Sequence, residues 1–177
     1  MSTLPGWTIH VPGHADEAEI ALRHAHRSGA SHYIRLTNDS NAAPVLEPTK
    51  LTTLRRGSDS APTVLAIGPM ADAVVAATVD LDVTVLYTSV VRPIDARSLS
   101  AAVIGETIAI VEPTLAGTTV GEVAAALNHR PMRIVGIGVQ DPELMHYGSP
   151  DELRAAHGLD VAGIRRQIER LALARAG

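Results

Sequence analysis

Short β-branched runs alternate with amphipathic stretches along this chain of 177 residues. That rhythm predicts strands and helices in turn, the pattern of an α/β fold. Thr8-Ile9-His10-Val11 reads as a strand stopped by Pro12-Gly13. A helix is expected from Asp16 to Ser28, with Asp16 and Glu19 spaced as a capping box and Ala18, Ala21, Leu22 and Ala25 on one face. Arg23, His24, His26 and Arg27 sit where the helix dipole favours positive charge, and Gly29 suits the position after the last turn. His32 to Leu36 is the next strand, closed by the polar cluster Thr37 to Asn41.

Residues 42–62 carry no periodicity and are rich in Pro, Ser, Thr and Gly, the composition of a linker. Within it, Thr52 to Arg56 is expected to form an edge strand that pairs back on the following one. From Thr63 the alternation is regular. Strands are predicted at Thr63–Ile67, Val83–Tyr87, Ile108–Val111 and Arg133–Val139. Helices are predicted after Gly68-Pro69, at Ala96–Val103 behind an Asp95 cap, at Val120–Leu127 behind a Thr119/Glu122 capping box, and from Asp160 onward. In the last helix Val161, Ile164, Ile168 and Leu171 line up while Arg165, Arg166, Glu169 and Arg170 face water. Strand–helix repeats of this kind predict a mostly parallel sheet covered on both faces.

Composition narrows the function classes. There is no cysteine, which excludes disulfides, thiolate metal sites and Cys nucleophiles. The net charge of −4 and the absence of any long basic block argue against nucleic acid as a main partner. One Trp, three Tyr and no Phe leave little for base stacking, so the core is expected to consist of packed aliphatics. No apolar run approaches the ~18 residues of a membrane helix, and the N-terminus lacks the look of a signal peptide. A cytoplasmic chain without membrane contact is the expectation.

Several residues invite chemical readings. Gly136-Ile137-Gly138 follows a strand, but Asp141 stands where a dinucleotide-binding motif needs its third glycine. Eight histidines raise a metal site; Pro12-Gly13 keeps His10 and His14 off a shared helical face, and His24 and His26 point apart, so scattered surface histidines are expected. Glu112 ends an apolar strand before Pro113 and Gly117-Thr118-Thr119. A functional carboxylate would occupy that place in an open α/β sheet, but a strand-end Glu bonded to the next helix start is the favoured reading. In Val91-Arg92-Pro93-Ile94-Asp95, Pro93 and Asp95 fix how the chain enters a helix.

Together these segments resemble a known family. Ile9-His10-Val11-Pro12-Gly13-His14-Ala15-Asp16-Glu17-Ala18-Glu19 and Tyr33-Ile34-Arg35-Leu36 resemble the closing strand–helix–strand of the pyrimidine-binding domain in thiamine-diphosphate-dependent transketolases. Val64 to Gly68, Val91 to Asp95, Ile110-Val111-Glu112-Pro113, Gly136 to Val139 and Ala156-His157-Gly158-Leu159-Asp160 are similar, in order, to the transketolase C-terminal domain. Deoxyxylulose-phosphate synthases and the beta chains of 2-oxo-acid dehydrogenases share the same order.

The resemblance implies an α/β fold whose C-terminal domain carries a mostly parallel five-stranded sheet with one antiparallel strand and helices on both faces. It divides the chain into 1–45 (tail of the pyrimidine-binding domain), 46–62 (linker with the edge strand) and 63–177 (C-terminal domain). The family's Gly-Asp-Gly…Asn metal motif and its aminopyrimidine-activating Glu have no counterpart here, so no catalytic residue is assigned. Thiamine diphosphate and a divalent metal such as Mg are expected to be bound by other chains or domains. The implied role is the C-terminal portion or small subunit of a two-carbon ketol-transfer enzyme, inactive alone. Its implied partners are chains carrying the diphosphate- and pyrimidine-binding domains, in a homo- or hetero-oligomer. A non-catalytic assembly or regulatory module is the alternative. For the substrate, Arg35 matches a general family Arg, while Asn38 falls where sugar-phosphate enzymes place a phosphate-holding Arg. A neutral amide there implies a non-phosphorylated or carrier-bound substrate, or a phosphate contact from another chain.

Overall fold

A computed structural model describes residues 5–45, 47, 49–140 and 147–173. Two sheets organise it. The larger has the order β3-β5-β4-β7-β8, formed by β3 (Thr52–Arg55), β4 (Thr63–Ile67), β5 (Thr84–Thr88), β7 (Thr107–Leu115) and β8 (Arg133–Val139). All neighbours are parallel except β3, which runs antiparallel to β5. This is the predicted five-stranded sheet with one reversed edge strand. One detail differs: β3 pairs with β5 rather than with β4, because β4 has both edges taken by β5 and β7.

Alternate residues of the central strands point to opposite faces, which is why their sequences are apolar throughout. Val64, Ala66, Val85, Ala109 and Val111 pack against Val74 of α2 (Ala71–Ala77) and against Ile164 and Ile168 of α6 (Val161–Leu173). Leu65, Ile67, Leu86, Ile108 and Ile110 pack against Leu99 of α3 (Ala96–Ala102) and Val123 of α4 (Val120–Ala126). A short 3-10 turn, Gly68–Met70, leads into α2. Asp95 caps α3 as expected, accepting from Ser98 N at 3.0 Å, and those bonds hold its carboxyl below the usual carboxylate range.

The smaller sheet, β2-β1-β6, joins β1 (Thr8–His10) and β2 (His32–Ile34) in parallel and adds β6 (Val90–Arg92) antiparallel to β1. The Val91-Arg92 stretch, read from sequence as a loop entering a helix, is therefore a strand. It carries the chain straight from the larger sheet into the smaller one and so joins the first segment to the rest. The first helix, α1 (Ala15–Ser28), is capped by His14, whose Nδ1 accepts from Asp16 N, and not by an Asp16/Glu19 box. Its buried residues are Glu17 and Ala21, whereas Leu22, expected on the apolar face, is more than half exposed. A second expected box is also absent: Thr119 does not cap α4, because its hydroxyl donates to Glu112, and Glu122 pairs with Arg92. An additional helix, α5 (Pro150–Ala156), starts on a capping box of Ser149 and Glu152. Among the described residues no helix is long and apolar enough to cross a membrane.

Candidate functional site

The two faces of the smaller sheet carry different chemistry. Ile9, Val11, Tyr33 and Arg35 look toward the carboxyl ends of the larger sheet, while His10 and His32 meet on the other face beside His24 of α1. Between the sheets lies a cavity of about 230 Å³, walled by Ile9, Tyr33, Ile67 and Val91 and charged by Arg35, Arg92 and Glu122. Ligands gather at this end of open α/β sheets. Arg35 Nη1 donates to the carbonyl of Pro113 at 3.1 Å, so one bond ties the residue after β2 to the end of β7. Arg92 Nε lies 3.2 Å from Glu122 Oε1. Two guanidinium groups and one carboxylate thus line an apolar hollow, with only Arg92 shown paired to Glu122. Asn38 is exposed and does not line the cavity.

Glu112 is fully buried and spends its carboxylate on the backbone. It accepts from Gly117 N at 2.7 Å, Thr119 N at 3.0 Å and Thr119 Oγ1 at 2.7 Å. This is the favoured structural reading: the side chain shapes the β7–α4 turn and has no free oxygen to offer a substrate. The same turn explains the glycines of β8. A Cβ on Gly136 would stand 2.5 Å from Gly117 N, and one on Gly138 2.5 Å from the Thr114 carbonyl. Close backbone approach, not a dinucleotide, requires them. Asp141 lies outside the described residues.

Two features escaped the sequence reading. The first is Glu17, 1% exposed, which accepts from Gly13 N at 2.9 Å, from Val45 N at 2.8 Å and from the Tyr87 hydroxyl. It fastens α1 to the linker and to β5. Burial, reinforced by the bond to Glu17, pushes the Tyr87 hydroxyl well above the ordinary tyrosine range. A glutamate in the first turn of a helix reads as a dipole partner, and nothing local marks it as buried. The second is the trio His10, His24 and His32, with ring centroids 5.2–6.3 Å apart. The expectation of scattered surface histidines fails for these three because parallel pairing sets His10 two strand positions from His32's register partner and lays α1 over both. Among the described residues no three His, Asp or Glu side chains gather as a metal site.

No protein-family profile matches the chain. An uncharacterized 33.6 kDa protein in the fasciation locus of Rhodococcoides fascians is 39% identical over 173 residues, 95% of this chain and 55% of that protein. The 1-deoxy-D-xylulose-5-phosphate synthase of Alcanivorax borkumensis is 28% identical over 183 residues, which cover 97% of this chain but 28% of that enzyme. Among solved structures, a split-gene transketolase described as an inactive beta4 tetramer superposes with a TM-score of 0.79 at 23% identity, over 96% of this chain and 59% of that one. Transketolase from Campylobacter jejuni superposes with a TM-score of 0.65 at 14% identity, over 96% and 27%. This chain thus spans between about a quarter and three fifths of the length of these proteins.

Proposed function

We propose, from the premise that this chain corresponds to the C-terminal part of transketolase-like enzymes, that it serves as the C-terminal portion or small subunit of a two-carbon ketol transferase. The observation that carries this reading is coverage. Longer relatives align with the chain almost from end to end, yet the chain spans only part of each. On this reading the activity belongs to the whole of which this chain supplies the C-terminal part.

On this reading the partners are chains that carry the diphosphate-binding domain and the rest of the pyrimidine-binding domain, joined in a homo- or hetero-oligomer. They would bind thiamine diphosphate and its divalent metal, since this chain gathers no acidic or histidine cluster suited to the metal among its described residues. The cofactor supplies the carbanion chemistry of ketol transfer. This chain's own part is to complete the β2-β1-β6 sheet and to hold Arg35 between the sheets. A three-stranded sheet with its β2 edge unpaired among the described residues is a natural place for further strands to add. Exposed Asn38 offers an amide where a phosphate-holding Arg is expected, which supports a non-phosphorylated or carrier-bound substrate, or a phosphate contact supplied by another chain.

The test mixes the purified chain with chains that carry the cofactor-binding domains, ideally encoded beside it. Ketol transfer from a ketose donor to an aldehyde acceptor should appear only in the mixture, and the chains should co-purify. If no such chain binds and none gains activity, the proposal fails. Equal turnover of phosphorylated and unphosphorylated ketoses in an active mixture overturns the substrate assignment alone.

A further inference from the structure

Beneath α1, three side chains and one carbonyl form a hydrogen-bond series. The Ser28 hydroxyl lies 3.0 Å from Ala25 O and 2.7 Å from His32 Nε2, and His32 Nδ1 lies 2.9 Å from His10 Nε2. When the Ser28 hydroxyl donates to Ala25 O, the series closes with both imidazoles neutral and protonated on Nε2, so that His32 donates to Ser28 and accepts from His10. His10 Nδ1 is then bare, buried and without a partner. The series ties β1 and β2 to the last turn of α1.

We propose that this series is a proton-sensitive lock, which holds the β1–α1–β2 unit closed near neutral pH and releases it in acid while the larger sheet stays folded. Two clashes drive the release. A proton on His32 Nδ1 sets it donor to donor against His10 Nε2 or drives the His10 proton onto the buried, partnerless Nδ1. A proton on His10 Nδ1 places a cation where burial leaves only 1% of the residue exposed. The titratable groups acting on His10 are His32 from β2 and His24 from α1, both of which oppose a charge on it, and β6 sets only Val90 opposite it. Glu17, seven residues before His24 on α1, lies about 10 Å further along the helix and gives its oxygens to Gly13, Val45 and Tyr87. Among the described residues no carboxylate therefore rewards a charge on His10.

Burial first, then His32 and His24, lower the His10 pKa to about 4, and burial followed by His24 lowers that of His32. The sign follows from linkage. The unfolded segment binds protons from about pH 6.5 downward while the closed segment does not, so the lock is at full strength above pH 6.5 and weakens as pH falls toward 4. A shift of about 2.5 units corresponds to a rise of roughly two decades in the opening constant across that window.

Nitrogen-resolved NMR of the full chain tests both the tautomers and the titration. At pH 7.5 His10 and His32 should each show a protonated Nε2 and a bare Nδ1, and His10 should resist protonation until well below pH 5.5. Hydrogen exchange, corrected for intrinsic rates, should show the amides of Ile9 and Tyr33 opening tens to hundreds of times more often at pH 4.5 than at pH 7. Those of Leu65 and Ile110 should change far less. His32→Gln keeps one acceptor and one donor without titrating, so it should reduce this acid response while the unit stays closed at pH 7. The lock is overturned by an Nδ1–H tautomer at His10, by a His10 titration near 6.5, or by an unchanged acid response in His32→Gln.

Discussion

Replacing Glu17 by alanine removes one acceptor from three donors at once. Gly13 N and the Tyr87 hydroxyl are buried in their bonds to it, while Val45 N is half-buried and within reach of water. A buried donor left without a partner costs about 1–3 kcal/mol. Two fully buried donors together with the packing lost at the base of α1 give an expected destabilisation of about 4 kcal/mol. At about 2–4 °C per kcal/mol for a chain of this size, Tm falls by roughly 8–16 °C. Tyr87→Phe removes a single donor and leaves the carboxylate its two backbone partners, so it should cost about 1–2 kcal/mol. The assay is urea unfolding of the two variants and their combination, followed by circular dichroism. The double variant should fall short of the sum by about 1 kcal/mol or more, because the two residues share a bond. A loss below about 1 kcal/mol in Glu17→Ala, or strict additivity with Tyr87→Phe, refutes the reasoning.

Other perturbations report on other parts of the molecule. Gly13→Ala places a Cβ 2.6 Å from Gly68 O and should cost at least about 1–3 kcal/mol in the same urea assay, since backbone on both sides must move. Gly138→Ala should destabilise by a similar amount through the Thr114 carbonyl, and a nucleotide added to the native chain should not raise its Tm. Glu112→Ala strips the acceptor from Gly117 N and Thr119 N and should lower stability by about 2–4 kcal/mol, with exchange at those two amides rising first. Arg35→Ala deletes the bond to Pro113 O and should cost about 1–2 kcal/mol, with opening of β2 in hydrogen exchange preceding that of β4.

Legibility in the sequence followed the physics of each element. The strands β4 and β8 fall where the apolar runs predict them, residue for residue. β4 is buried at every position and leaves an unbroken apolar signature, while β8 keeps an apolar run although it is an edge strand and mostly half-buried. β6 was missed because three residues beside a proline carry no period, and it exists only by pairing with β1, some eighty positions earlier. The capping boxes expected at Asp16/Glu19 and Thr119/Glu122 had the right spacing. The second lost its residues to other bonds, Thr119 to Glu112 and Glu122 to Arg92, while in the first the neighbouring His14 took over the cap. Arg35 was marked by resemblance, and the structure places it on the cavity wall. Asn38, marked on the same grounds, lies outside it.

The family resemblance implied the five-stranded sheet with its reversed edge; local pattern alone determined the α/β class, the mostly parallel sheet and the alternation that fills both faces with aliphatics. Such features depend on periodicity within a few residues, and periodicity is written in the chain itself. Only the tertiary structure decided that Glu17 is buried beneath Tyr87, that His10, His24 and His32 meet, and that Arg35 and Arg92 share a cavity. Each of those contacts joins residues from separate elements. The energy of a polar group is set by what desolvates it and by what bonds it, and neither is a property of its sequence neighbours.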